Sequence, residues 1–243
     1  MGFDVRHGGG QYPPVSPEAP PRRVAIAAAR NEADRVGDTL DALARALPGA
    51  QLWVADDASQ DGTAEAAMRH GAQVVSRKRP HGKGGNMTAA AEAALSELES
   101  EATVLVCDAD LGASAKALPA LVEAVEAGEC DLAVAAFARR EGGGFGVALG
   151  YARRKIEDLC GFRAEAPISG QRAMRSEVLR EVLPFAADFG MEVGMTVDAV
   201  RAGYRVKEIE LPLEHRATGR TLGGFLHRAR QLRDFRRAVR ARR

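Results

Sequence analysis

Short hydrophobic runs alternate with helical patterns along the first half of the chain, between Arg23 and residue 137. The runs are short and apolar throughout, which is typical of strands that are buried on both faces. They predict five strands, at 23–29, 51–57, 72–77, 102–108 and 131–137. The segments between them predict helices over 32–46, 61–71, 84–98 and 114–128. This alternation indicates an α/β fold, in which helices flank both sides of a mostly parallel sheet.

The pattern changes after residue 138, where a glycine-rich loop at 141–146 precedes a predicted helix over 147–160. The rest of the chain predicts a strand, two helices and a final alternating strand, at 168–174, from Ser176, at 191–203 and at 204–213. Pro212 cannot donate a backbone hydrogen bond, which places the end of the last strand near a sheet edge. We therefore expect a flexible tail at 1–22, a single α/β domain at 23–221 and a basic amphipathic helix at 222–243.

Composition and charge narrow the range of functions. Lys plus Arg number 34 and Asp plus Glu 33, the net charge is +1, and aromatic residues make up only 5%. A nucleic-acid partner is therefore not expected. The three cysteines form no CxxC pair, so neither a zinc knuckle nor a disulfide framework is indicated, and Cys107 is predicted to be a core residue. We find no apolar run near the ~20 residues of a membrane span and no signal-peptide pattern, so we expect a cytoplasmic protein.

The C-terminal end is strongly basic, with ten Arg and one Asp in residues 216–243. Leu, Phe and Val recur there at near-helical spacing. One interpretation is an amphipathic helix that contacts anionic lipid, which would bring the protein to the inner face of the membrane. The other, which we favour, is a terminal helix that packs on the domain and leaves its basic face in solvent.

Charged residues follow the predicted strands, and ligands of open α/β sheets bind at this carboxyl edge. Asp108 and Asp110 are separated by one residue, so both carboxylates can face one Mg²⁺ or Mn²⁺ that also binds substrate phosphates. The alternative for this pair is a helix cap followed by a solvated turn. Asp56 and Asp57 end an apolar strand, where unpaired burial would be costly, so we expect one of them to accept hydrogen bonds from a ligand. Asp61 is expected to cap the next helix.

Lys83 lies in a GKGG segment after the third predicted strand. The segment is not a Walker A loop, because the first glycine is missing and Gly84 replaces Ser or Thr. Lys83 and free backbone N–H groups at a helix start are nevertheless expected to hold an anion. After the last strand, His215 is a candidate third metal ligand, with a purely structural role as the alternative. Arg216 and Arg220 are candidates to bind phosphates bidentately.

Six segments of the chain, in order, resemble the family-2 glycosyltransferases and their relatives with the GT-A fold. They are VAIAAARNEA, VADDASQDGT, HGKGGNMTAA, VCDAD, SGQRAMRSEVL and FGMEVGMTVDAVRAGYRV. The resemblance spans about residues 23–220 and is much more specific than the DxD pair alone. The chain is similar in particular to the dolichyl-phosphate mannose synthase-like and glucosyl-3-phosphoglycerate synthase-like members of this family. The resemblance implies a Rossmann-like GT-A fold and a hexosyltransferase activity.

The resemblance also implies roles for individual residues. A nucleotide-sugar donor would contact Ala28, Arg30, Glu32, Asp56, Asp57, Lys83, Asp108, Ala109, Arg172, Arg216 and Arg220. Mg²⁺ or Mn²⁺ on Asp108, Asp110 and His215 would absorb the charge that grows on the leaving nucleoside diphosphate. An inverting enzyme would need a general base at the acceptor hydroxyl, for which Glu192 and Asp188 are candidates. The alternative for Glu192 is a buried acid that pairs with an arginine such as Arg172.

One position departs from the dolichyl-phosphate mannosyltransferases, which carry a metal-binding Gln where this chain has Gly112. The acceptor is therefore open between polyprenyl phosphate and a small soluble phosphate-bearing molecule, and the donor between a UDP- and a GDP-sugar. Two alternative functions are those of a sugar nucleotidyltransferase and of a catalytically silent nucleotide-sugar-binding module. A nucleotidyltransferase would require a glycine-rich loop after the first strand. A homodimer is an assembly state that the sequence leaves open.

Overall fold

The computed structural model describes residues 22–98, 100–137, 146–188, 190–213, 234 and 236–242. Strands β1 to β7 span Arg22–Ala29, Gln51–Asp56, Gln73–Ser76, Ala102–Asp108, Leu132–Phe137, Arg172–Arg175 and Val206–Leu211. Helices α1 to α7 span Val36–Ala46, Thr63–Arg69, Gly82–Ser96, Pro119–Glu126, Gly146–Cys160, Ser176–Val182 and Gly190–Arg201. A 3₁₀ helix at Gly112–Ala117 precedes α4.

The strands form one seven-stranded sheet in the order β3-β2-β1-β4-β6-β5-β7. All neighbouring pairs are parallel except those of β6, which is antiparallel to both β4 and β5. The structure thus confirms the predicted α/β fold with a mostly parallel sheet. Among the described strands, β7 lies at one edge and pairs only with β5, which agrees with the position of Pro212 directly after it.

Hydrophobic side chains on both faces of the sheet explain why the strands are apolar throughout. Alternate residues of β1, such as Ala25 and Ala27, pack with α1, α2 and α4. The residues between them, such as Val24 and Ile26, face α3, α6 and α7. Helix α5 packs against the other side of α7. Cys107 is buried in β4, where burial raises the pKa of its thiol, so its predicted place in the core is confirmed.

Two predicted elements differ from the structure. The helix expected over 114–128 is divided into the 3₁₀ helix and α4, because Pro119 lacks an N–H and is favoured in the first turn of a new helix. The strand expected over 168–174 is shorter, since β6 begins only at Arg172. The preceding segment is a loop, and the N–H groups of Glu165 and Ala166 donate to the Glu208 carboxylate at 2.8 Å each.

Parts of the predicted domain organisation lie outside the described residues. These are nearly all of the tail at 1–22, most of the glycine-rich loop and the first part of the C-terminal helix. The described end of that helix, Arg236–Arg240, buries Ala238 and Val239, whereas its three arginines are exposed. For these residues the structure supports packing on the domain. None of the helices in the described part of the chain is both long and apolar enough to cross a membrane.

Candidate functional site

The registers of β1, β2 and β4 bring the predicted site residues to one edge of the sheet. Ala28 pairs with Asp108 on β4, and Ala29 pairs with Asp56 on β2. The three strands therefore end side by side, as expected for parallel strands, and their loops form a common surface. The expected convergence of Asp56 and Asp108 at one edge is confirmed.

Asp108 lies at the centre of a cluster of charged and polar side chains. The Lys83 ammonium donates to Asp108 Oδ1 at 2.6 Å and to Glu192 Oε1 at 2.9 Å. The Gln171 amide donates to Asp108 Oδ2 at 2.7 Å. Gly170 lies against the same group, since a Cβ there would be 2.6 Å from Lys83 Nζ and 2.8 Å from Asp108 Oδ2. The cluster thus joins α3, β4, the loop before β6 and α7, and a side chain at position 170 would displace Lys83 or Asp108.

The Lys83 ammonium is held in its charged form. Burial alone would lower its pKa, but the carboxylates of Asp108 and Glu192 outweigh this and raise the pKa well above the ordinary value. The side chain is 23% exposed, so it can still be reached from the open edge of the sheet. Lys83 therefore brings a permanent positive charge to the carboxylate that is predicted to bind a metal.

Asp110 lies on the turn that follows β4 and is partly exposed. The Ala109 N–H donates to the Ala28 carbonyl at 2.9 Å, and Arg35 donates to the Asp110 carbonyl at 3.1 Å. Asp108 and Asp110 provide two carboxylates, hard oxygen donors of the kind that suit Mg²⁺ or Mn²⁺ with positions left for phosphate oxygens. Among the described residues, no group of three or more His, Cys, Asp or Glu side chains lies close enough together to hold a metal ion. The predicted third ligand, His215, lies outside them, as do Arg216 and Arg220.

The hydrogen bonds of Asp57 differ from the predicted anion site at the start of α3. Its two oxygens accept the N–H groups of His81 at 2.7 Å and Gly82 at 3.2 Å. The N–H groups expected to hold a substrate anion therefore bind a carboxylate of the protein itself. The Arg30 guanidinium lies 3.8 Å from the same carboxylate. The adjacent Asp56 is also satisfied internally, by the Ser59 N–H at 3.2 Å and the Ser76 hydroxyl at 2.9 Å.

The glycines beside Lys83 have a packing role that the sequence does not reveal. A Cβ at Gly82 would lie 1.6 Å from Asp188 Oδ1, and one at Gly84 would lie 1.9 Å from the Ala186 carbonyl oxygen. Gly82 also has a φ of +74°, in the region that favours glycine. These glycines let the segment before α7 approach the start of α3. Asp188, a candidate base, is thereby placed at this helix start.

The loops after β1 and β2 bind each other. The Asn31 N–H donates to Ser59 Oγ at 2.9 Å, and the Glu32 N–H donates to Thr63 Oγ1 at 2.9 Å. Asn31 has a φ of +55°, a conformation that Asn tolerates better than most residues. Asp61 accepts the Thr63 N–H at 3.1 Å within the turn that precedes α2. The predicted capping role of Asp61 was wrong, because the N-cap of α2 is Gly62 and makes no side-chain cap hydrogen bond. Hydrogen bonding to Thr63 lowers the pKa of Asp61.

A polar cleft of about 550 Å³ adjoins these loops. It is lined by Asp56, by the loop between β2 and α2, and by Ser76 and Arg77 at the end of β3. Its lining includes neither Lys83 nor Asp108. The cleft therefore adjoins the predicted nucleotide-binding residue Asp56 and does not include the charged cluster.

Arg172 is fully buried and does not face the open edge. Its Nε donates to the Ser169 carbonyl and one terminal nitrogen donates to Thr196 Oγ1, both at 2.9 Å. Burial lowers the pKa of Arg172 to about 10, although the charges of Glu192 and Glu208 act in the opposite direction. In this structure Arg172 supports the loop before β6, and the predicted contact with a phosphate would require it to be uncovered.

Glu192 is buried at the first turn of α7, with 5% of its side chain exposed. Its carboxylate binds Lys83 instead of an arginine, so the pairing expected as the alternative to a base role involves a different cation. Gln171, 1% exposed, is a site residue that sequence reasoning missed. The only signal was its position next to Gly170 in the SGQRAM segment, which gives no indication of a contact with Asp108.

The chain is similar to proteins of known family and known structure. The family described as Glycosyl transferase family 2 matches residues 25–183. The undecaprenyl-phosphate mannosyltransferase of Micrococcus luteus is 31% identical over 206 residues, which cover 78% of this chain and 82% of that protein. The glucosyl-3-phosphoglycerate synthase of Mycobacterium tuberculosis in complex with phosphoglyceric acid has a TM-score of 0.73 and 26% identity, over 92% of this chain and 80% of that one. Its complex with Mn²⁺, UDP and glucosyl-3-phosphoglycerate has a TM-score of 0.71 and 26% identity, over 91% and 80% of the two chains.

Proposed function

The chain belongs to family 2 of the glycosyltransferases, and from this premise we propose that it moves a hexose from a UDP- or GDP-sugar to a phosphate-bearing acceptor with the help of Mg²⁺ or Mn²⁺. The observation that carries the proposal is the cluster at the sheet edge. Asp108 and Asp110 lie at the end of β4, and Lys83 brings a positive charge to within 2.6 Å of Asp108. This combination suits a ligand that carries both a metal ion and a diphosphate.

In the proposed mechanism, Asp108 and Asp110 would hold the divalent ion, with His215 as the predicted third ligand. The ion, when bound, supplies positive charge that stabilises the leaving nucleoside diphosphate. Lys83 provides a second positive charge at the same edge. Glu192 keeps the Lys83 ammonium in place, which is the role its 2.9 Å contact favours over that of a base. Asp188 remains the candidate base for an inverting reaction.

The donor would lie across the loops that follow β1 and β2. Ala28, Arg30, Glu32 and Asp57 line this part of the edge, and the polar cleft beside Asp56 gives room for part of a nucleotide. Ala109 closes the surface between β1 and the Asp110 turn. A nucleotide that approaches Asp57 would replace hydrogen bonds to His81 and Gly82 or add to them. Family membership favours transfer over the sugar nucleotidyltransferase alternative.

Both candidate acceptors carry a phosphate. The Micrococcus luteus relative is named for undecaprenyl phosphate, and the Mycobacterium tuberculosis enzyme was crystallised with phosphoglyceric acid. For a lipid-linked acceptor, the exposed Arg236, Arg237 and Arg240 would draw the enzyme to anionic lipid, since each basic residue near such a surface contributes about 1 kcal/mol. Peripheral membrane contact, a cytoplasmic location and a homodimer all stay predictions.

A transfer assay tests the proposal. UDP-glucose and GDP-mannose would each be offered with 3-phosphoglycerate, and with undecaprenyl phosphate in vesicles of phosphatidylglycerol or phosphatidylcholine, with Mn²⁺ or with EDTA. We expect transfer from one donor to one acceptor class that is lost in EDTA and falls about 100-fold or more in Asp110→Asn. Faster transfer on phosphatidylglycerol than on phosphatidylcholine vesicles would support the membrane contact.

The matched control is Asp41→Asn, an exposed carboxylate on α1 that pairs with His70 and lies outside the proposed site. It should retain full transfer activity. A folded wild-type protein that is stabilised by a donor but transfers no sugar would favour the silent binding module. One that neither transfers sugar nor is stabilised by any donor would contradict the proposal and the silent binding module alike.

A further inference from the structure

A fully buried hydroxyl on α1 contacts the turn that carries Asp110. Thr39 Oγ1 donates to the Ala109 carbonyl at 2.8 Å and accepts the Gly112 N–H at 2.8 Å. The side chain has no solvent exposure. Thr39 therefore bridges the two ends of the turn on its buried side, while Asp110 remains partly exposed.

Thr39 stands out from the apolar residues that surround it on α1. The other buried members of this helix are Val36, Leu40, Ala42 and Leu43. A hydroxyl among such residues costs free energy unless it is hydrogen-bonded, and a threonine in a helix usually satisfies this by bonding a carbonyl of its own preceding turn. Here the bond goes instead to a backbone 70 residues away in sequence. The hydroxyl thus connects two distant parts of the chain.

Further hydrogen bonds join the turn to β1 and to the residue directly before α1. The Ala28 carbonyl of β1 accepts the Ala109 N–H, and Arg35, which directly precedes α1, donates to the Asp110 carbonyl. Gly112 has a φ of +52°, which lets the chain reverse toward Thr39. Successive peptide groups around Asp110 are therefore tied to the scaffold, and Thr39 holds two of them.

We propose that Thr39 is a positioning residue of the metal site, which fixes the Asp108–Asp110 turn so that both carboxylates face one divalent ion. The proposal rests on the proposed function, because it requires that these carboxylates bind the metal. Residues that orient metal ligands typically change metal affinity by about 10- to 100-fold when they are replaced. Thr39 would act on affinity without contacting the ion.

The test is a titration of the metal-free protein with Mn²⁺, followed by the electron paramagnetic resonance signal of the free ion. Thr39→Val keeps the shape of the side chain and removes the hydroxyl, and it should raise the Kd for Mn²⁺ about 10-fold. Thr39→Ser restores the hydroxyl and should bring the Kd close to that of the wild type. Thr39→Ala provides a second hydroxyl-free variant in case valine prevents folding.

Ser176→Ala is the matched control. Ser176 is also fully buried, accepts the Ala102 N–H at 3.1 Å and donates to Glu101, at the opposite end of β4. Its loss should lower the melting temperature without changing the Kd for Mn²⁺. A wild-type Kd in folded Thr39→Val or Thr39→Ala, or an equal loss of affinity in Ser176→Ala, would overturn the positioning role. A wild-type protein that binds no Mn²⁺ would overturn the metal-dependent function, and this proposal with it.

Discussion

At the scale of single residues, the Lys83 ammonium binds one oxygen of Asp108, the carboxylate that is expected to bind the metal. Its ammonium is 2.6 Å from Asp108 Oδ1, so a divalent ion must compete with it for Asp108. We predict that Lys83→Met binds Mn²⁺ alone about 10-fold more tightly than the wild type, since a like charge is removed from the site. The same variant should bind UDP or GDP more weakly, because the diphosphate loses a cation. Calorimetric titrations with the metal and with the nucleotide measure both effects.

Lys207→Met is the control for this prediction. Lys207 pairs with Glu129 at 2.6 Å at the other end of the strands, and it should leave both affinities unchanged. Weaker binding of Mn²⁺ alone by Lys83→Met would show that Lys83 assists the metal instead of competing with it.

The place of site residues that follow the end of a strand could be predicted from the sequence. The contacts that connect such residues to distant parts of the chain could not. The carboxyl edge with Asp56, Lys83 and Asp108 follows from the order of strands, because parallel strands end together. The contact of Lys83 with Glu192 spans 109 positions in sequence, and no local pattern encodes such a distance. The sequence indicates an anion site around Gly84, but the nearby Ala186 carbonyl explains better why this position is a glycine.

At the scale of elements, Asp131 connects the three strands at one side of the sheet. It precedes β5, and it accepts the Arg205 N–H before β7 at 2.7 Å and pairs with Arg175 at the end of β6 at 2.9 Å. The carboxylate is only 6% exposed. We predict that Asp131→Asn lowers the free energy of unfolding by about 1–3 kcal/mol at neutral pH, because buried donors lose a charged acceptor. Urea denaturation measures the difference.

The effect of Asp131 should depend on pH. Burial by itself opposes ionisation, but the hydrogen bonds and charges of Arg205 and Arg175 prevail and lower the pKa of Asp131 below its ordinary 3.8. A lowered pKa contributes stability above the unfolded-state value, and this contribution is lost as the pH falls through the folded-state pKa. The gap between wild type and Asp131→Asn should therefore shrink below pH 3.8. Asp158→Asn, which removes an exposed partner of Lys155, should show no such gap.

Element boundaries were predictable to within a few residues where hydrophobic runs were continuous. Strand β4 at Ala102–Asp108 coincides with its prediction. The antiparallel direction of β6 was not predictable, because a four-residue strand carries no pattern that reports its direction. Its place in the sheet depends on pairing with β4 and β5, which lie far away in sequence.

At the scale of the whole molecule, α7 connects the site to the C-terminal helix. Arg242 Nε donates to the Asp198 carboxylate at 2.7 Å, and Ala238 lies against Gly190, where a Cβ would be 2.8 Å away. We predict that Arg242→Ala lowers the free energy of unfolding by about 1–2 kcal/mol, because Asp198 loses its charged partner in a partly buried position. Hydrogen exchange of residues 236–242 should also become faster. Arg240→Ala, an exposed residue of the same helix, should change neither quantity, and equal effects of both variants would contradict the docking role of Arg242.

The reversed strand β6 has a consequence for how enzymes of this kind can be recombined. Because β6 runs against β4, the loop before β6 reaches the carboxyl end of β4 from the second half of the chain, and Gln171 contacts Asp108 there. Among the described residues, the pairs Lys83 with Glu192 and Asp108 with Gln171 join residues 22–137 to residues 146–213 at the site. A chimera that takes residues 22–137 from one enzyme of this family and residues 146–213 from another would have to preserve these two pairs and the glycine at position 84.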